Sequence, residues 1–209
     1  MNKDVHDILD AALAAIEKFP QEIEARNINV VGYSGGGGNA ISCAVRFPDL
    51  FQTCVSFFGI SDYAALHRAS SVPDIKQTME AALGGPPEMN PAAYAARNAN
   101  AAAGNAMAAK LHFFWDEEET LCPPAQIEAF LEAYRKAGHS QAFAHVSRAG
   151  DARRWRHDYR KGNPDLGFAD ELYLPDVLAP KSASPALPER GRLVVNGYLV
   201  TRRFTIWIG

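Results

Sequence analysis

Near the N-terminus the apolar residues Val5, Ile8, Leu9, Ala12, Leu13 and Ile16 recur at helical spacing from Asp4 to Lys18, and Pro20 follows. That period predicts an amphipathic helix packed on a sheet. The pattern then shortens. Asn27 to Val31 alternates and carries β-branched residues, which predicts a short buried strand over 28–31, whereas Asn39 to Val45 is compact and Ala-rich and predicts a helix. Phe47-Pro48-Asp49 stops that helix, and Thr53 to Phe58 reads as a second buried strand ending at Gly59. Leu111 to Trp115 gives a third strand. Pro124 to Lys136 gives a helix with Ile127, Phe130, Leu131 and Tyr134 on one face and Gly138 as its cap, and Ala142 to Ser147 gives a fourth strand. Strands alternating with helices through short connections predict an α/β fold with a parallel sheet covered on both faces.

Two stretches break this rhythm. Ser61 to Ala109 is irregular and rich in Ala, Pro and Asn, with one expected helix at Asp74 to Leu83 before the Gly84-Gly85-Pro86-Pro87 break. Such an insertion between sheet strands is either a substrate-facing cap or filler packed over a helix. After the fourth strand a loop rich in Arg and His runs to Gly162, and Pro175 to Glu189 reads as a Pro-, Ala- and Ser-rich linker. Gly191 to Ile208 then predicts two strands, Arg192 to Val195 and Tyr198 to Ile208, joined by Asn196-Gly197 as a tight turn. The expected organisation is a main domain over 1–174, a linker over 175–190 and a β-hairpin over 191–209, a candidate for the opening of an accessory β-domain.

Composition narrows the functional classes. A chain of 209 residues, 47% of them hydrophobic, can bury one sizeable core. A net charge of -3, with no basic segment interleaved with aromatics, gives no nucleic-acid signal. Cys43, Cys54 and Cys122 are an odd number without metal-type spacing, so neither a disulfide, a metal site nor a cofactor is expected. No window approaches the roughly 18 apolar residues of a membrane span, and the first residues lack a signal-peptide core. If Met1 is the true start, a cytoplasmic location follows.

The candidate chemistry centres on Gly32-Tyr33-Ser34-Gly35-Gly36 between the first strand and the Ala-rich helix. A serine on so tight a turn is forced into a strained backbone, and small neighbours let strand and helix close around it. The helix starting there offers unpaired N–H groups, that of Gly35 first, to an oxyanion forming beside Ser34. The competing use of a glycine-rich turn, cradling a phosphate, lacks both the Lys-Ser/Thr of a P-loop and the Gly-x-Gly-x-x-Gly spacing. A serine nucleophile needs an acid and then a histidine downstream. The third strand runs into Asp116-Glu117-Glu118-Glu119, which otherwise reads as a solvated acidic turn, and the loop after the fourth strand carries Trp155-Arg156-His157.

At these residues the chain resembles the prolyl oligopeptidase and dienelactone hydrolase branch of the α/β-hydrolases, over roughly Ile8 to Leu172. Val31 to Gly36 is similar to the family's elbow, Val55 to Asp62 to its next strand, and Leu83 to Glu88 with Pro91 and Tyr94 to its loop before the acid strand. The resemblance implies a partial α/β-hydrolase sheet with flanking helices, with Ser34 as nucleophile and His157 as base. The family's acid precedes a Val-Pro pair by two residues. Cys122-Pro123 takes that place, which puts the acid at Glu119, with Asp116 as the alternative. The implied activity is a serine hydrolase cleaving an ester or peptide substrate through an acyl-enzyme. The resemblance begins after the family's upstream strands, including the one supplying a second oxyanion donor, so the expectation is either a fragment or a divergent domain. The alternative is therefore a non-catalytic hydrolase-like domain acting in binding or assembly, and self-association or a partner chain is expected to complete the sheet.

Overall fold

The computed structural model describes residues 3–107, 110–152, 154–155, 157 and 186–207. Four parallel strands form one sheet in the order β1-β2-β3-β4: β1 (Ile28–Tyr33), β2 (Phe51–Phe57), β3 (Lys110–Asp116) and β4 (Ala142–Ser147). The expected α/β-hydrolase half sheet is present, with helices α1 (Lys3–Lys18), α2 (Gly35–Arg46) and α6 (Ala125–Lys136) flanking it. β2 is buried along its whole length, as the continuous apolar run Thr53 to Phe58 demands of a strand covered on both faces. β1 lies at one edge, where Val31 is 38% exposed. The helix α1 packs on α2 through a stripe in which Val5 and Leu9 are buried, while Leu13 on the later turns stays open to solvent.

The register brings one row of rings across all four strands next to the elbow. Tyr33, Phe57, Phe114 and His145 stand opposite one another in successive pairs. Their centroids are 4.4, 4.6 and 4.2 Å apart, and each pair is stacked. Stacked pairs contribute about 0.5–1.5 kcal/mol each beyond their buried area, so this row stiffens the strand ends from which the site loops leave.

The insertion is more ordered than its composition suggests. It folds as α3 (Tyr63–Ala69), α4 (Pro73–Leu83), α5 (Pro91–Ala96) and a 3-10 turn at Asn100–Asn105 that packs against both α2 and α6. Asp62 caps α3 by accepting the Ala65 N–H, and Asn90 at the start of α5 donates to the Leu83 carbonyl. The Asx residues that read as loop in the sequence therefore start one helix, α3, and close the end of another, α4.

The C-terminal hairpin forms, but its turn lies elsewhere than at Asn196-Gly197. β5 (Tyr198–Val200) and β6 (Thr205–Trp207) are antiparallel around a turn at 201–204, where the Thr201 hydroxyl accepts the N–H groups of Arg203 and Phe204. Distant side chains claim the residues before it. Arg46, 5% exposed, donates to the carbonyls of Asn196, Tyr198 and Ala96 and lies over the Tyr198 ring at 4.5 Å. Asn105 pairs with both backbone groups of Val194, and Asp49 accepts the Arg202 N–H. These bonds tie 194–202 to the domain, and among the described residues 192–195 form no strand. Of the linker expected over 175–190, residues 175–185 lie outside the described residues.

Candidate active site

Ser34 occupies the junction of β1 and α2 with φ 53° and ψ −119°, a left-handed conformation for a residue with a side chain. Such a conformation costs about 1–3 kcal/mol and persists only where the surroundings fix it. The Ser34 N–H donates to the Phe57 carbonyl at 2.8 Å, and the Gly38 N–H donates to the Ser34 carbonyl at 3.0 Å. Strand and helix close tightly around the turn, since a Cβ on Gly32 would lie 2.0 Å from the Gly36 carbonyl oxygen. The helix begins at Gly35 itself, so the Gly35 N–H is one of the first-turn donors with no partner inside the helix. The Ser34 hydroxyl does not cap α2 and instead faces the Cys122 thiol at 3.9 Å.

The four acids after β3 part in two: Glu117 and Glu118 lie exposed, as the solvated-turn reading has them, whereas Asp116 and Glu119 are buried. Asp116 is 2% exposed and accepts from Ser147 Oγ at 2.7 Å, from the Glu118 N–H at 3.0 Å and from both Nε and Nη2 of Arg154. Glu117 accepts the Ala149 N–H, and Glu118 accepts from Arg154. Glu119, 9% exposed, turns back over its own loop, and its Oε1 accepts the N–H groups of Leu121 at 2.7 Å and Cys122 at 3.1 Å.

That same Oε1 lies 3.3 Å from Nδ1 of His157, an ion contact whose alignment falls short of a formed hydrogen bond. Burial pushes the Glu119 carboxyl up, but His157 and the two backbone N–H groups together outweigh it and hold the group below its usual range. Asp116 is held low in the same way, burial being overcome by Arg154, Ser147 and the Glu118 N–H. Cys122 links Glu119 and Ser34, its N–H on the carboxylate and its thiol against the hydroxyl, and burial pushes that thiol up to about 12.

Two residues missed by the sequence complete the site. Phe58, φ 52°, is a second left-handed residue with a bulky side chain, and its ring centroid lies 5.0 Å from that of His157. Nothing in the local sequence marks it, and its N–H donates to the Phe114 carbonyl on the neighbouring strand at 2.9 Å. Arg154, three residues before His157, was legible only as part of a basic loop. The other histidines are engaged elsewhere. His139 donates to the Gly104 carbonyl, His112 and His145 are 3.1 Å apart on adjacent strands, and His6 stacks on Trp207. His67 is 9% exposed and pairs with Glu80 at 2.6 Å.

Residues 2–161 match the model of the prolyl oligopeptidase family. Among solved structures, the acylaminoacyl peptidase of Pyrococcus horikoshii superposes with a TM-score of 0.64 at 21% identity, over 79% of this chain and 25% of that one. An acylaminoacyl peptidase in complex with Z-Gly-Gly-Phe-chloromethyl ketone gives 0.68 at 20% identity, over 90% and 28%. A puromycin-hydrolyzing peptidase of Mycobacterium tuberculosis gives 0.65 at 22% identity, over 84% and 26%. At these identities the likeness is one of fold, and the chain spans about a quarter of the length of the structures it matches. No match to the chain is found among curated proteins. Among the described residues no helix is long and apolar enough to cross a membrane.

Proposed function

The chain belongs to the prolyl oligopeptidase family, and from that premise we propose that it carries the nucleophile, orienting acid and general base of a serine hydrolase that cleaves an ester or amide through an acyl-enzyme. The observation that carries the reading is the pairing of Glu119 Oε1 with His157 Nδ1 at 3.3 Å, with the Glu119 loop lying against the strained Ser34 through Cys122. With Nδ1 turned to Glu119, Nε2 is the ring nitrogen left to take the Ser34 proton as Oγ attacks the carbonyl carbon. Glu119, held ionised, stabilises the imidazolium that results. The Gly35 N–H and the positive end of α2 face the developing oxyanion. Collapse of the tetrahedral adduct passes the proton from His157 to the leaving group, and water then releases the acyl group by the same steps in reverse.

Neighbours named as acylaminoacyl and puromycin-hydrolyzing peptidases favour an acylated amine as one substrate class beside simple esters. A fluorophosphonate probe tests the reading. It is expected to label Ser34, with labelling abolished by Ser34→Ala and slowed about a thousandfold or more by Glu119→Gln. Labelling no faster than that of Ser34→Ala would leave the second reading, a non-catalytic hydrolase-like domain, which is favoured by the Ser34 hydroxyl resting on the Cys122 thiol.

A further inference from the structure

His157 sits on a loop, and a general base is effective only when held close to its working geometry. The loop leaves β4 at Ser147 and turns at Gly150, φ 92°, where Asp151 accepts the Arg148 N–H. It is then fastened at two consecutive residues. Arg154 grips the Asp116 carboxylate with a two-pronged guanidinium, and the Trp155 N–H donates at 2.8 Å to Ser147 Oγ, the hydroxyl that itself donates to Asp116. The Trp155 ring stands edge-on to Phe114 at 5.4 Å. Both fastenings converge on one carboxylate at the end of β3, with Arg154 also reaching the exposed Glu118, and His157 stands two residues beyond the second.

We propose that Asp116 is a positioning residue. Through Arg154 and Ser147 it clamps the loop so that His157 is delivered between Glu119 and Phe58. The proposal rests on the serine-hydrolase reading for its catalytic consequence, but the clamp is a statement about the loop. It gives the rival acid a task other than orienting the imidazole, because each of its oxygens is already committed to the loop or to the adjoining backbone. Arginine suits this place because its fork fixes direction as well as distance, which a lysine ammonium does not.

The test is a double-mutant cycle on the full chain with two readouts. The first is the rate of fluorophosphonate labelling at Ser34. The second is the His157 ring resonance in NMR, displaced by the ring current of Phe58. Arg154→Ala and Asp116→Asn are each expected to slow labelling about ten- to a hundredfold, the effect of misplacing a catalytic group by roughly 1 Å. The double variant is expected to be no slower than the worse single one, because the pair acts as a unit. In both single variants the His157 resonance moves towards that of an unstructured histidine. An Arg154→Ala chain with wild-type labelling and an unmoved resonance overturns the proposal. So does additive slowing, or slowing by Asp116→Asn alone, which would make Asp116 the orienting acid. If Asp116→Asn does not fold, Arg154→Ala decides by the same two readouts. Wild-type Ser34 that fails to label while the resonance still moves in Arg154→Ala removes the hydrolase reading and leaves the clamp standing.

Discussion

Replacing Gly32 by alanine tests the construction of the elbow most directly. The added methyl would lie 2.0 Å from the Gly36 carbonyl oxygen, 2.3 Å from its carbon and 2.8 Å from the Gly37 nitrogen. Ordinary contact begins at 3.4 Å, so β1 and the first turn of α2 must part by about 1.4 Å. All three neighbours are backbone, and the helix cannot simply retreat. Gly37 is already seated where its own Cβ would meet the Phe57 carbonyl oxygen at 2.7 Å and Ser56 Oγ at 2.9 Å. Overpacking relieved by side chains costs about 1–3 kcal/mol. With rigid neighbours the upper end or beyond applies, and for a chain of this size a loss of about 3 kcal/mol lowers Tm by roughly 6–12 °C. Gly36 is the control, because its Cβ would meet nothing within 4 Å. Gly36→Ala is expected to be neutral or to stabilise by up to about 1 kcal/mol through helix propensity. Urea unfolding measures both, read as a shift in midpoint at unchanged slope. Ser34 labelling should fall in Gly32→Ala and persist in Gly36→Ala. A Gly32→Ala chain within about 0.5 kcal/mol of wild type, the usual range of an inconsequential surface change, would refute the steric account.

The Arg46→Ala change should cost about 1–3 kcal/mol, since it removes the donor to the buried Tyr198 carbonyl along with its bonds to the half-buried carbonyls of Asn196 and Ala96. The loss is capped by the free energy that docks the C-terminal tie, so limited proteolysis should show residues 192–207 cut early in the variant. Acid should destabilise the chain in a defined direction. Asp116 and Glu119 are both held low when folded, so the unfolded state binds more protons as pH falls. Their contribution is complete above the ordinary carboxylate range near pH 4 and is lost as pH falls through the depressed folded values. Urea unfolding at a series of pH values should therefore show a steeper acid limb for wild type than for Asp116→Asn.

Much of the architecture lay in local pattern. The period-two and helical runs marked every sheet strand and the helices that pack on them, because a strand or helix is selected by residues within a few positions of each other. The elbow was legible for the same reason, its geometry being forced by five consecutive residues. The site required more. Apart from the family's spacing to Cys122-Pro123, four adjacent acids look alike, and their surroundings part only in the fold, where Arg154 and Ser147 close on Asp116 while His157 and the loop amides close on Glu119. The Asn196-Gly197 pair carries a strong local turn signal, yet the hairpin turns at 201–204, because Arg46 and Asn105 bind the preceding backbone from far along the chain. Phe58 holds its strained φ where its N–H meets a strand more than fifty residues away. Sequence determined what could be decided by neighbours in the chain. The tertiary structure decided which buried charge meets which partner, since a desolvated ion or carbonyl must be satisfied by whatever the fold brings beside it.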